Sequence, residues 1–288
     1  MNNILLNKIL LVQKSEITEY TFYQKIAERE KNNKNKEILN HIADVEMTHY
    51  QFWQNLSKVE VFPNLFRFYF YYIIVILFGL TFGIRLMEKK NKKIKYLYEE
   101  LNNELDGIEY IISDENEHEK MHIDEIDEAR LKYISSIVLG LNDALVEFTG
   151  ALAGFTFALG NNKIIALSGL IAGISAALSM ASSEYLATKQ EANHKFAFSS
   201  ALYTGCAYLV AVTMMVLPYI LIKQVYIALG LMLVIVVFII FLFNYYISIA
   251  KELSFKKRFS EMVTISLGVA FLSFLLGLTV REFFGIDI

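Results

Sequence analysis

ISSIVLGLNDALVEFTGALAGFTFAL (Ile134–Leu159) and, four residues later, IIALSGLIAGISAALSMASSEYL (Ile164–Leu186) decide the fold. Each run meets the roughly 20 predominantly apolar residues needed to cross a bilayer core. Three more follow, at Phe196–Ile222, Val225–Ile249 and Met262–Val280. Five spans put the two termini on opposite faces. With the N-terminus inside, the inner loops carry Lys189, Lys195, Lys251, Lys256, Lys257 and Arg258, and the outer loops only Lys163, Lys223 and Arg281. The excess of basic residues inside predicts a multi-pass protein of the cell membrane with its N-terminal part in the cytoplasm. Small residues at Gly150-x-x-x-Gly154 and Gly169-x-x-x-Gly173-x-x-x-Ala177 permit close helix approach.

Two of these spans hold groups that lipid does not welcome. Asp143 and Glu147 stand four residues apart in the first, and Met180 and Glu184 four apart in the second, so each pair shares a helix face. An ionisable group in a span costs about 2.5–3.5 kcal/mol on insertion scales, and by default marks an ion or proton pathway. A thioether beside carboxylates suits Fe²⁺ better than Mg²⁺ or Ca²⁺, although methionine more often serves packing.

Charge is concentrated before residue 133, which divides the chain into a polar domain, 1–132, and a membrane domain, 133–288. Overall the protein is 55% hydrophobic with a formal net charge of −3, and no basic motif with interleaved aromatics appears, so nucleic acid is not an expected partner. The sole cysteine, Cys206, excludes an internal disulfide and a cysteine-based metal site. The opening stretch MNNILLNKILLVQKSE has Lys8 inside a short apolar run and no small-residue cleavage pattern, so it is expected to remain on the mature protein.

Residues 1–132 read as helices near 5–31, 34–58, 64–104 and 105–130, from their Glu, Lys, Leu and Ile content and a three-to-four-residue apolar period. The chain is thus expected to be all-α, a four-helix bundle followed by five transmembrane helices. Phe68–Ile84, bracketed by Arg67 and Arg85, is apolar enough to be a sixth span. A span there would separate the motifs on either side of it across the membrane. The alternative is a helix lying on the bilayer surface or in a dimer interface.

Those motifs are Glu46-Met47-Thr48-His49 and Glu115-Asn116-Glu117-His118, two Glu-x-x-His sequences whose ligand pairs share a helix face. Glu19 precedes Glu46 by 27 residues (46 − 19), and Glu88 precedes Glu115 by the same 27 (115 − 88). One Glu-x-x-His is weak in a domain dense in Glu and Lys. Two with matching partners are the ligand set of a di-iron or di-manganese carboxylate bundle. Glu119 and His122 adjoin the second motif as ligands or bystanders, and His41 and His194 read as ordinary polar residues.

SEITEYTFYQKIAERE (15–30) with ILNHIADVEMTHYQFW (38–53), then GLTFGIRLMEKK (79–90) and IISDENEHEKMHIDEIDEARLKY (111–133), resemble the ferritin-like, rubrerythrin-type domain. The resemblance implies a site for two Fe²⁺ ions, or Mn²⁺, held by Glu19, Glu46, His49, Glu88, Glu115 and His118. Asn91 stands where many such domains have a further glutamate, which puts ligand switching through an extra carboxylate in question. A rubredoxin-type module would need four cysteines, and one is present.

GLNDALVEFTGALAGFTFAL (140–159) and GLIAGISAALSMASSEYLATKQE (169–191) resemble the first two helices of the vacuolar iron transporter family. That resemblance implies a five-span homodimer exporting Fe²⁺, and often Mn²⁺, from the cytoplasm in exchange for protons. Asp143 and Met180 would lie on the pathway, with Glu147 and Glu184 near its cytoplasmic mouth. Plant members insert a glutamate-rich helical domain between spans two and three, where this chain has only Ala187–Lys195. The N-terminal domain would take that place, as in membrane-bound ferritin and the rubrerythrin-fused transporters of prokaryotes. The competing expectations are a membrane-tethered ferroxidase or peroxide-reducing enzyme with the spans as anchor, and a bundle that only senses iron.

Overall fold

A computed structural model of the chain describes every residue except 1–2, 91, 106, 115–125, 127–128, 192–193 and 285–288. The described residues are helical, with no strand among them. They divide into two compact units, Met1–Glu128 and Ala129–Ile288.

The first unit opens with a helical hairpin, α1 (Asn3–Arg29) and α2 (Asn33–Ser57). The Asn32 side chain accepts from the Lys34 and Asn35 amides, satisfying two donors that a helix start leaves without partners. Helix α1 buries Ile9, Val12, Glu16, Glu19, Tyr23 and Ile26, a stripe at three- and four-residue steps that carries carboxylates into the interior. After α2 the chain is tied back to α1. The Gln13 amide donates to the Val59 carbonyl at 2.8 Å, and Ser57 Oγ donates to Gln13 Oε1 at 2.8 Å.

The third helix expected at 64–104 is three helices: α3 (Leu65–Phe78), α4 (Leu80–Lys90) and α5 (Lys92–Asn102). The first break falls at Gly79, where φ is +105°, a backbone conformation open to glycine and strained for other residues. The chain then folds back so closely that a Cβ on Gly83 would stand 2.3 Å from Val75 Cγ2. Phe68–Ile84 is therefore no continuous span. At 14 residues α3 is about 21 Å long, short of the roughly 30 Å hydrocarbon core. Helix α4 buries most of its length, whereas α3 buries only Phe68 and Tyr71. Ile9, Val12, Trp53, Tyr98, Leu101, Ile108 and Ile111 form one core cluster. Of the fourth helix expected at 105–130, residues 109–114 are helical and 115–125 lie outside the described residues.

Among the described residues, the second unit holds five helices long and apolar enough to cross a membrane: Ser136–Leu159, Asn162–Gln190, His194–Leu221, Val225–Ala250 and Phe255–Phe283. The first of these runs through α6 (Ala129–Asp143), a π turn (Ala144–Phe148) and α7 (Thr149–Leu159). It is followed by α8 (Asn162–Glu191), α9 (His194–Leu221), α10 (Val225–Ala250) and α11 (Phe255–Phe284). Glycines set the close crossings. A Cβ on Gly140 would meet the Thr204 carbonyl oxygen of α9 at 2.6 Å, and one on Gly277 of α11 the Gly154 carbonyl oxygen at 2.6 Å. Small residues thus bring backbones together where no side chain would fit.

Candidate functional site

Glu16 of α1 and Glu46 and His49 of α2 converge, each offering a ligand atom within 4.8 Å of the others, and all three are buried. Glu46 and His49 share a face of α2 because they stand three residues apart. His49 Nδ1 lies 3.8 Å from Glu16 Oε2, and His49 Nε2 lies 3.5 Å from Asp114 Oδ2. The Tyr98 hydroxyl of α5 donates to Glu16 Oε1, fixing that carboxylate from outside the group. Trp53, one turn beyond His49, packs its ring 5.9 Å from that of Tyr98. Burial and the Asp114 carboxylate push the neighbouring Tyr110 phenol up from its ordinary pKa. With a neutral imidazole the three residues carry two negative charges out of water, an arrangement that a divalent cation would compensate.

Glu19 is placed elsewhere. Its Oε1 accepts from Ser15 Oγ at 2.7 Å and from Arg67 Nη2 at 3.1 Å, so it joins α1 to α3. Glu88 sits half-buried in the last turn of α4, outside the group. Glu115 and His118 lie outside the described residues. The site thus gathers two expected ligands, Glu46 and His49, around one that motif spacing did not select, Glu16. Spacing could not separate Glu16 from Glu19, since both belong to the same buried stripe of α1. What separates them is Arg67, some 50 residues away in sequence and adjacent in space.

In the membrane unit Asp143 and Glu147 flank and occupy the π turn. The π turn packs against α9, with Ala144, Leu145, Phe148 and Tyr208 in one buried cluster. Tyr208 is fully buried on α9, with no hydrogen-bond partner for its hydroxyl among the described residues. A π turn widens the helix by one residue and recurs at functional sites. Glu184 belongs to a second polar cluster. Its Oε1 accepts from Ser136 Oγ at 2.8 Å, Ser200 Oγ at 2.5 Å and Thr188 Oγ1 at 3.2 Å. Met180 is half-buried against the apolar core of the unit. Ser200, Thr204 and Tyr208 recur every four residues, so α9 carries one hydroxyl stripe, of which Ser200 donates to Glu184 and Thr204 to the Ser136 carbonyl.

Helices of this number, length and composition, with carboxylates among them, define a multi-pass membrane protein. Residues 134–198, covering the first two spans, match the model of the VIT family. No curated protein matches the chain.

Proposed function

We propose that this protein exports Fe²⁺, or Mn²⁺, from the cytoplasm through its membrane unit in exchange for protons, acting as a homodimer. The observation that carries the reading is the placement of Asp143 and Glu147 at a π turn of the first span, within the segment that matches the VIT family. Two carboxylates in one span attract a divalent cation and are too costly for a mere anchor. Glu184 and Met180 would extend the path, a hard oxygen and a soft sulfur suiting ferrous iron. The N-terminal unit would face the cytoplasm and collect the ion before transport. Glu16, Glu46 and His49 would be its ligands there, with Glu88, Glu115 and His118 supplying the second half of a two-metal set. Proteoliposomes containing the full chain are expected to move Fe²⁺ or Mn²⁺, and Asp143→Ala is expected to abolish the flux. Flux equal to the unaltered protein's would refute the pathway.

A second reading is favoured by the buried Glu16, Glu46 and His49 group itself. An iron ion held there, with a second held by Glu88, Glu115 and His118, would supply redox chemistry towards oxygen or peroxide, making the protein a ferroxidase or peroxide-reducing enzyme. Oxygen or peroxide consumption by the full chain, lost in Glu46→Ala and accompanied by no metal flux, would select it.

A further inference from the structure

Helix α3 presents an apolar stripe that its own unit leaves uncovered. Phe66, Tyr69, Phe70, Ile73, Ile76 and Leu77 are all exposed, Phe66 at 84% and Leu77 at 64%. At 100° per residue they fall within an arc of about 120°. The opposite side of the helix carries Phe68 and Tyr71, which are buried. The only charged side chain of α3, Arg67, is drawn off the stripe: it donates to Ser15 Oγ at 3.0 Å and Glu19 Oε1 at 3.1 Å. The stripe therefore offers aromatic and aliphatic surface with no charge on it, a patch that soluble domains rarely leave in water.

Three observations identify what covers it. The same chain carries five membrane-spanning helices, so a bilayer is always within tethered reach. Helix α3 ends at Gly79, where the backbone turns sharply, so the stripe is too short to cross that bilayer and long enough to lie in its surface. From the last turn of α4 into the start of α5 the sequence reads Lys89-Lys90-Asn91-Lys92-Lys93-Ile94-Lys95, a lysine run of the kind that attracts anionic lipid. Tyrosine favours the headgroup boundary, and phenylalanine and leucine are typical of the apolar face of helices that lie in the interface. A second copy of the chain would supply the stripe with no partner for the lysines.

We infer that α3 lies in the plane of the bilayer, its stripe seated below the headgroups of an anionic leaflet, so that the N-terminal unit binds the membrane by its own surface as well as through the spans. This reading holds whether or not the protein transports metal. The test uses the full chain with its sole cysteine replaced, Cys206→Ser, and single substitutions Phe66→Cys, Phe70→Cys, Ile73→Cys and Leu77→Cys, each carrying a nitroxide. Lys34→Cys, at an exposed position of α2, is the water-facing control. The protein is reconstituted in vesicles of phosphatidylcholine and phosphatidylglycerol, and accessibility to oxygen is compared with accessibility to a water-soluble nickel chelate. All four stripe labels are expected to prefer oxygen and to report a common depth of about 5–10 Å, the depth at which interfacial helices lie. Three results would overturn the inference: nickel access equal to that at Lys34→Cys, exclusion of both reagents with spin coupling between copies, or depth rising steadily from 66 to 77 as in a span. Omitting phosphatidylglycerol is expected to raise the labels towards water. An unchanged depth would remove the lysine run from the binding surface.

Discussion

Arg67 donates to Glu19 across 3.1 Å, and that ion pair engages the glutamate that a 27-residue interval selects, while Glu16 stands in the group with Glu46 and His49. Glu16→Ala is accordingly expected to abolish Mn²⁺ or Co²⁺ binding by the N-terminal unit. Glu19→Ala is expected to keep binding and to lose about 1–3 kcal/mol of stability, since Arg67 and Ser15 lose an acceptor. Metal titration of both variants alongside thermal melting separates the two roles. Loss of binding in Glu19→Ala with Glu16→Ala unaffected would return Glu19 to the site.

Trp53 is the sole tryptophan of the chain and is fully buried one turn from His49. A paramagnetic ion held by Glu16, Glu46 and His49 is expected to quench its fluorescence. Tyr98→Phe removes the hydroxyl that orients Glu16 and keeps the ring beside Trp53. Loss of a hydrogen bond to a ligand typically weakens metal affinity by about 10- to 100-fold. A right shift of the Mn²⁺ quenching curve by that factor is the expected outcome, and an unshifted curve would deny Tyr98 any part in the site.

Helix crossings in the membrane unit predict opposite effects for one kind of substitution. Gly140→Ala drives a methyl against the Thr204 carbonyl oxygen at 2.6 Å, and overpacking of this sort costs about 1–3 kcal/mol. Gly230 and Gly268 have nothing within 4 Å of an added Cβ, so Gly230→Ala and Gly268→Ala are expected to be neutral or stabilising by up to about 1 kcal/mol. Melting of the three variants in detergent orders them, with Gly140→Ala lowest.

Tyr208 tests the transport reading with little risk to the fold. Its hydroxyl makes no hydrogen bond among the described residues, so Tyr208→Phe is expected to melt like the unaltered protein. Because Tyr208 belongs to the buried cluster packed on the π turn that carries Glu147, metal flux in proteoliposomes is expected to fall several-fold. Unchanged flux would leave Tyr208 as packing.

The spans are legible in the sequence because hydropathy is a local property. Observed bounds such as Val225–Ala250 lie within a residue of the expected Val225–Ile249. The break at Gly79 is not legible in that way. Phe68–Ile84 reads as one apolar rod until the positive φ of Gly79 and the contact of Gly83 with Val75 are seen. Motif spacing puts Glu46 and His49 on one face because both belong to a single helix turn, and the two side chains converge in the fold. It cannot choose between Glu16 and Glu19, since the choice depends on a guanidinium brought in by a later helix. The π turn likewise leaves no mark on the apolar pattern of the first span.

The hairpin of α1 and α2 has one more consequence. Glu16, Glu46 and His49 all lie in these two helices, so a cation bound among them would act as a clasp on a single supersecondary element. Ligand at 100 times its dissociation constant adds about 2.7 kcal/mol to the state that binds it, and the open population that proteases attack would shrink in proportion. Cellular metal would then govern how long each molecule survives, tying the amount of protein to the supply of its ion.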